Sequence, residues 1–176
     1  HLESHVTCAG GNDGSAIIIA IGGIGDYTYQ WDDVNLQTAQ QAEDLIAGTF
    51  IVSITDSALC TIYDTVIINE PESLDITIIN TNISCFGNSD GILSSTITGG
   101  ITPYVFAWNG PDLYTSNLDS IYNLGSGLYI LNITDNNGCI TSETITLNEP
   151  VLFSSSITGT NLDCYQDNSG TIDLTV

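Results

Sequence analysis

Five cysteines, two histidines and 21 acidic residues carry most of the chemical capability of this 176-residue sequence, because it contains no Lys and no Arg. Both histidines, His1 and His5, lie in the first five residues. A Ser-His-Asp or Cys-His arrangement further along the chain would therefore lack its base. A zinc site would lack its usual ligand spacing, since no Cys-x-x-Cys occurs. The adjacent Asp32 and Asp33 are the obvious carboxylate pair for glycoside hydrolysis, but their counterparts in a second copy of the motif are Asn109 and Gly110. The expectation is a protein that is not an enzyme. Asp13 and Asp90, which open strands, and Asp56 and Asp135, which end them, would suit Ca²⁺ at a strand end. Asx turns account for the same residues without metal, and a third copy has Ser169 where the others have Asp13 and Asp90. The cofactor expectation is none, with Ca²⁺ as the alternative. Cys8 and Cys60 fall in one copy, Cys85 and Cys139 in the next, and Cys164 opens another. Two cysteines per copy predict one disulfide within each, Cys8 with Cys60 and Cys85 with Cys139, and an oxidising compartment. The rival is a pair of free thiols or a metal site.

Those residues are positioned by a repeat. Cys8 to Gly14, Cys85 to Gly91 and Cys164 to Gly170 share one spacing, Cys followed six positions later by Gly. Gly22-Gly23 then matches Gly99-Gly100, Trp31 matches Trp108, Thr55-Asp56 matches Thr134-Asp135, and Cys60 matches Cys139. Copies close on Asn69-Glu70-Pro71 and Asn148-Glu149-Pro150. The expected organisation is a first repeat over 1–71 with most of its lead-in missing, a complete repeat over 72–150, and the start of a third over 151–176. The outermost strands are expected to be held by neighbouring chain.

Short runs rich in β-branched and aromatic residues predict strands over Ala16–Ile21, Tyr27–Trp31, Phe50–Thr55 and Thr65–Ile68. The second copy has Ile92–Ile97, Tyr104–Trp108, Tyr129–Thr134 and Thr144–Leu147. The extra residues between Trp108 and Gly127 read as a loop. Gln37–Ala47 has helix-forming composition, which its counterpart in the second copy contradicts. Roughly seven strands in under 80 residues indicate an all-β fold of tandem immunoglobulin-like (PKD-like) β-sandwich repeats in an elongated array. Tyr27, Tyr29 and Trp31, like Tyr104, Phe106 and Trp108, alternate onto one face. They read as core rather than as a sugar-stacking platform. Phe50, Val52 and Ile54 are expected to supply the facing layer.

A formal net charge of −21 disfavours phosphate backbones and anionic lipid heads, so neither nucleic acid nor direct membrane insertion is expected. The longest apolar run, Ala16–Ile21, is far too short to span a bilayer.

The run Cys85-Phe86-Gly87-Asn88-Ser89-Asp90-Gly91, then Gly99-Gly100, Pro103-Tyr104-x-Phe106-x-Trp108, Gly127-Leu128-Tyr129, Thr134-Asp135-Asn136-Asn137-Gly138-Cys139 and Asn148-Glu149-Pro150 resembles the SprB repeat. The first copy departs from it at Gly25-Asp26, where the second has Pro103, and at Ser57–Leu59, where the Asn-Asn-Gly turn is lost. The resemblance implies the repetitive shaft of very large adhesins on the surface of gliding bacteria, exported by the type 9 secretion system and attached at the outer membrane. Its implied partners are neighbouring repeats, adjacent filament molecules or the motility machinery, and it implies no active site. The alternative is a carbohydrate-binding or Ca²⁺-dependent adhesive sandwich.

Overall fold

The computed structural model describes residues 1–161 and 170–175. Cys164 and Ser169 lie outside the described residues, and with them most of the third Cys-to-Gly turn. The first repeat contributes β1 (Leu2–Ser4), β2 (Gly14–Ile17), β3 (Thr28–Trp31), β4 (Gln41–Leu45), β5 (Gly48–Thr55) and β6 (Thr61–Ile68). The second contributes β7 (Asp75–Thr81), β8 (Gly91–Thr98), β9 (Val105–Asn109), β10 (Thr115–Ser116), β11 (Ser120–Leu124), β12 (Gly127–Thr134) and β13 (Ile140–Leu147). A hairpin of β14 (Ser156–Thr160) and β15 (Thr171–Thr175) follows, with every residue exposed.

All pairings are antiparallel, and each repeat forms two sheets. In the second repeat these are β7-β8-β11 and β10-β9-β12-β13; in the first they are β1-β2-β4 and β3-β5-β6. The chain passes from one sheet to the other between β8 and β9, returns between β10 and β11, and crosses again between β11 and β12. This is the strand order of an immunoglobulin-like sandwich, with β9, β12 and β13 in one layer and β7, β8 and β11 in the other. Trp108 on β9 and Trp31 on β3 are each 1% exposed and anchor separate cores. Their indole N–H groups donate to the carbonyls of Leu118 and Ala39, both at 3.0 Å, so neither buried polar group is left unpaired.

The aromatic face lies in the core. Tyr27, Tyr29, Tyr104 and Phe106 are half-buried against it. The facing layer, however, is not the one the sequence suggests. Val52 and Ile54 pair directly with Trp31 and Tyr29 along β3-β5, so they extend the same layer. What faces Trp31 comes from the other sheet and its flanks, namely Val6, Ala16, Ile18, Ala42 and Leu45. Two further corrections concern a segment read as a loop and one with helix-forming composition. The residues between Trp108 and Gly127 hold β10, β11 and a single 3₁₀ turn at Pro111–Leu113, and Gln41–Leu45 is a strand.

Candidate functional site

The recurring landmarks converge on the two ends of each sandwich. At one end, Val6 N–H donates to Asn69 O at 3.0 Å, placing the loop that carries Cys8 beside the exit of β6. Asp13 ties down the base of that loop by accepting from Thr7 N–H at 2.9 Å, and Glu70 accepts from Gly10 N–H. The second repeat reproduces each contact. Ile83 N–H meets Asn148 O at 3.1 Å, Ser84 N–H meets Asp90 at 3.0 Å, and Gly87 N–H meets Glu149 at 2.7 Å. A Cβ on Gly14 would stand 2.7 Å from both Leu45 O and the Ile68 side chain, and one on Gly91 would stand 2.8 Å from the Leu147 side chain and 2.9 Å from Leu124 O, which explains the glycine six positions after Cys8 and Cys85.

The opposite end is organised by Asp56 and Asp135. Asp135 accepts from the N–H groups of Ile101, Asn137 and Cys139 at 2.8 to 2.9 Å. Asp56 likewise accepts from Ile24, Ala58 and Cys60 at 2.9 to 3.0 Å. Each carboxylate therefore fastens the loop carrying the second cysteine to the Gly-Gly loop. The Cys60 backbone N–H leads in holding Asp56 below its usual pKa. For Asp135 burial opposes ionisation, but the converging N–H groups outweigh it and the net shift is downward. Asp13 and Asp90 are lowered chiefly by the side chains of Thr7 and Ser84.

These bonds also account for the carboxylates considered for other chemistry. Asp32 accepts from Ile51 N–H at 2.8 Å. Buried Asp33 accepts from Asn35 N–H at 3.0 Å and from Gln37 N–H at 2.8 Å. The pair is spent on loop architecture. No three His, Cys, Asp or Glu side chains converge on a common point among the described residues.

The cysteines form a different pairing from the expected one. Cys8 is bonded to Cys139, with Cα atoms 5.7 Å apart, while Cys60 and Cys85 are exposed free thiols. The pairings Cys8 with Cys60 and Cys85 with Cys139 do not occur, for a reason of distance. Cys60 immediately precedes β6 and Cys8 sits beside its far end. Eight strand residues at about 3.3 Å each separate them by roughly 26 Å, against an upper limit of about 7 Å between bridged Cα atoms. The same strand length, along β13, separates Cys139 from Cys85. The first cysteine of one repeat thus meets the second cysteine of the next. Asn137 reinforces the meeting by donating through Nδ2 to Thr7 O at 3.1 Å.

Glu70, Glu149 and Asn137 belong to this site although sequence reasoning gave them no role beyond marking boundaries and turns. Recurrence of Asn-Glu-Pro was the available signal.

The SprB repeat family model matches residues 4–36 and 77–113. No curated protein matches the chain. Among solved structures, an amphioxus IgVJ-C2 molecule aligns at 12% identity over 78% of this chain and 97% of its own, with a TM-score of 0.38. The N-terminal four Ig domains of Dscam1 isoform 6.44 align at 9% identity over 84% of this chain and 46% of theirs, with a TM-score of 0.36. Murine CEACAM1b aligns at 11% identity over 81% and 95%, with a TM-score of 0.33.

Proposed function

We propose that this chain, two stretches of which match the SprB repeat family model, is a segment of the shaft of a large cell-surface adhesin, serving attachment and gliding motility by extension rather than by catalysis. The observation that carries this reading is the Cys8–Cys139 bond. It joins the exit end of one sandwich to the entrance end of the next, so successive units connect through opposite ends and length grows with copy number. Pro71, with its fixed φ, stands in the short connection and limits the chain's freedom there. Export by the type 9 system and attachment at the outer membrane follow from the family and complete the proposal. In this role the partners are neighbouring repeats and the motility machinery. Dense negative charge keeps adjacent shafts apart at low salt.

Small-angle X-ray scattering on the 176-residue chain tests the reading. Two sandwiches in tandem should give a radius of gyration well above the roughly 16 Å of a compact globule of this length, unchanged by chelator. A value near that of the globule would sink the shaft reading.

A further inference from the structure

The strands that enter and leave each sandwich occupy sheet edges. β1, β6, β7 and β13 each stand at an edge, whereas β2, β5, β8, β9 and β12 lie inside a sheet. All four of these edge strands run toward the exit end of their sandwich. For β1 this follows from the pairing of Ser4 with Ser15, next to Gly14, whose Cβ position abuts Ile68 at the end of β6. β13 begins beside Cys139 at the entrance end and finishes at Leu147. Its successor Asn148 accepts from Ile83 N–H at 3.1 Å, just beyond β7. β1 lies against β6, and β7 lies against β13.

Two tracks therefore run side by side through both sandwiches. One is unbroken backbone, made of β6, the connection containing Pro71, and β7. Gly100 N–H donates to Glu72 O at 2.9 Å, and Ser73 O lies 1.9 Å from the Cβ position of Gly99, so the connection is pressed onto the second sandwich rather than looped out. The other track is spliced. β1 leads to Cys8, the bond to Cys139 spans Cα atoms 5.7 Å apart, and β13 continues to the far end. The bond from Val6 N–H to Asn69 O at 3.0 Å fastens one track to the other.

The splice decides what a pull along the chain can reach. From the start of β1 to the end of β13 the spliced track needs about 16 residues, which with the bridge cover roughly 60 Å at about 3.3 Å per residue. The backbone between the bridged cysteines has a sequence separation of 131 and could be drawn out to roughly 450 Å. The shorter covalent route becomes taut first. Residues 9–138, which hold Trp31, Trp108 and most of both cores, form a closed loop beside it.

We propose that the spliced edge strands are a tension member: when the shaft is pulled along its length, force passes through β1, the Cys8–Cys139 bond and β13, while both sandwiches stay folded. β1 and β13 are already extended and point the same way along the chain, so the pull finds no slack to release. The inference rests on the shaft reading and adds a mechanical function to it, a length that stays fixed under load.

Single-molecule stretching of the 176-residue chain tests this, with ligated handles at the two termini, free thiols alkylated, and a force sufficient to unfold the chain in dithiothreitol. The oxidised chain should lengthen only by the residues beyond β13, about 100 Å in all. In dithiothreitol it should release about 450 Å more, in two steps, one for each core. Cys139→Ser should match the reduced chain without any reductant, and the wild-type comparison stands whether or not that variant folds. Equal lengthening of the oxidised and reduced chains would overturn the proposal. So would a reductant-dependent gain of only about 180 Å, the length of a loop closed within one repeat. Scattering separates the two readings: a compact particle refutes the shaft, whereas an extended one that lengthens fully without reductant refutes the tension route alone.

Discussion

Replacing Cys139 by Ser opens the covalent link between the two sandwiches, and the size of the effect follows from which loop that link closes. The sequence separation is 131 residues, but each repeat has its own core and can unfold while its neighbour stays folded. With the first repeat intact, Cys8 remains fixed beside Asn69 and Glu70, so the unfolded second repeat is held as a loop of about 68 residues. Unfolding of the first repeat against an intact second closes a loop of similar size, because Cys139 is then held close to Glu72 through Ile101 and Gly100. The chain-entropy relation gives about 4 kcal/mol for either case as an upper value, with about 2 kcal/mol at the low end of common experience. At about 4–8 °C per kcal/mol for a domain of this size, the melting temperature should fall by roughly 10–30 °C. Differential scanning calorimetry of wild type, Cys8→Ser, Cys139→Ser and the double variant reads this directly. The two single variants and the double variant should be equivalent, and Cys60→Ser, which removes an exposed free thiol, should change stability by no more than about 0.5 kcal/mol. A large loss in Cys60→Ser, or Cys8→Ser and Cys139→Ser acting additively, would refute the inter-repeat bond and restore pairing within repeats.

Acidification tests the loop anchors. Asp13, Asp56, Asp90 and Asp135 have folded pKa values below their unfolded value of 3.8, so the stability they contribute is present above pH 3.8 and is lost as pH falls through the lowered values. Acid also relieves the repulsion within a chain of net charge −21; the melting temperature should therefore hold or rise toward about pH 4 and then decline. A monotonic rise down to pH 2 would show that the anchors contribute little. Tyr129→Phe removes the hydroxyl that donates to Gly125 O at 3.0 Å, a corner closing the turn into β12. It should cost the second repeat about 0.5–1.5 kcal/mol by chemical denaturation, and no loss would mean that water replaces the bond freely. The first repeat carries Phe50 at the same place, so the native chain already holds the variant form of that corner.

Strands with uninterrupted alternation were legible. β5 and β12 bury Val52 with Ile54 and Tyr129 with Leu131 and Ile133 at period two, and their prediction from sequence needed no knowledge of neighbours. β4 and β11 escaped because each contains a residue in the left-handed region, Asp44 at φ 56° and Asn123 at φ 57°, beside a register shift in its pairing. Such a bulge moves the buried pair to a spacing of three, Ala42 with Leu45 and Ile121 with Leu124, which looks like neither a strand nor a full helix. β7 escaped as an edge strand with a largely exposed face. The disulfide escaped for another reason. Four cysteines permit three pairings, and the choice depends on the length of β6 and β13 and on which end meets the next repeat. Both are properties of the assembled sandwich.

The composition narrows how such a junction can be held at all. Without Lys or Arg, no carboxylate at the interface can be offset by a basic side chain, and two acidic surfaces brought together repel. Backbone N–H groups are the remaining abundant donors, and Glu70, Glu149, Asp56 and Asp135 all use them. That arrangement fixes the loops within each unit but supplies little attraction between units. The contacts that do cross the junction are of kinds that repulsion does not weaken much: an Asn137 amide on the Thr7 carbonyl and a covalent bond. Charge thus pushes the units apart while the disulfide holds them together, and reduction should loosen the junction most at low ionic strength, where the repulsion it resists is least screened.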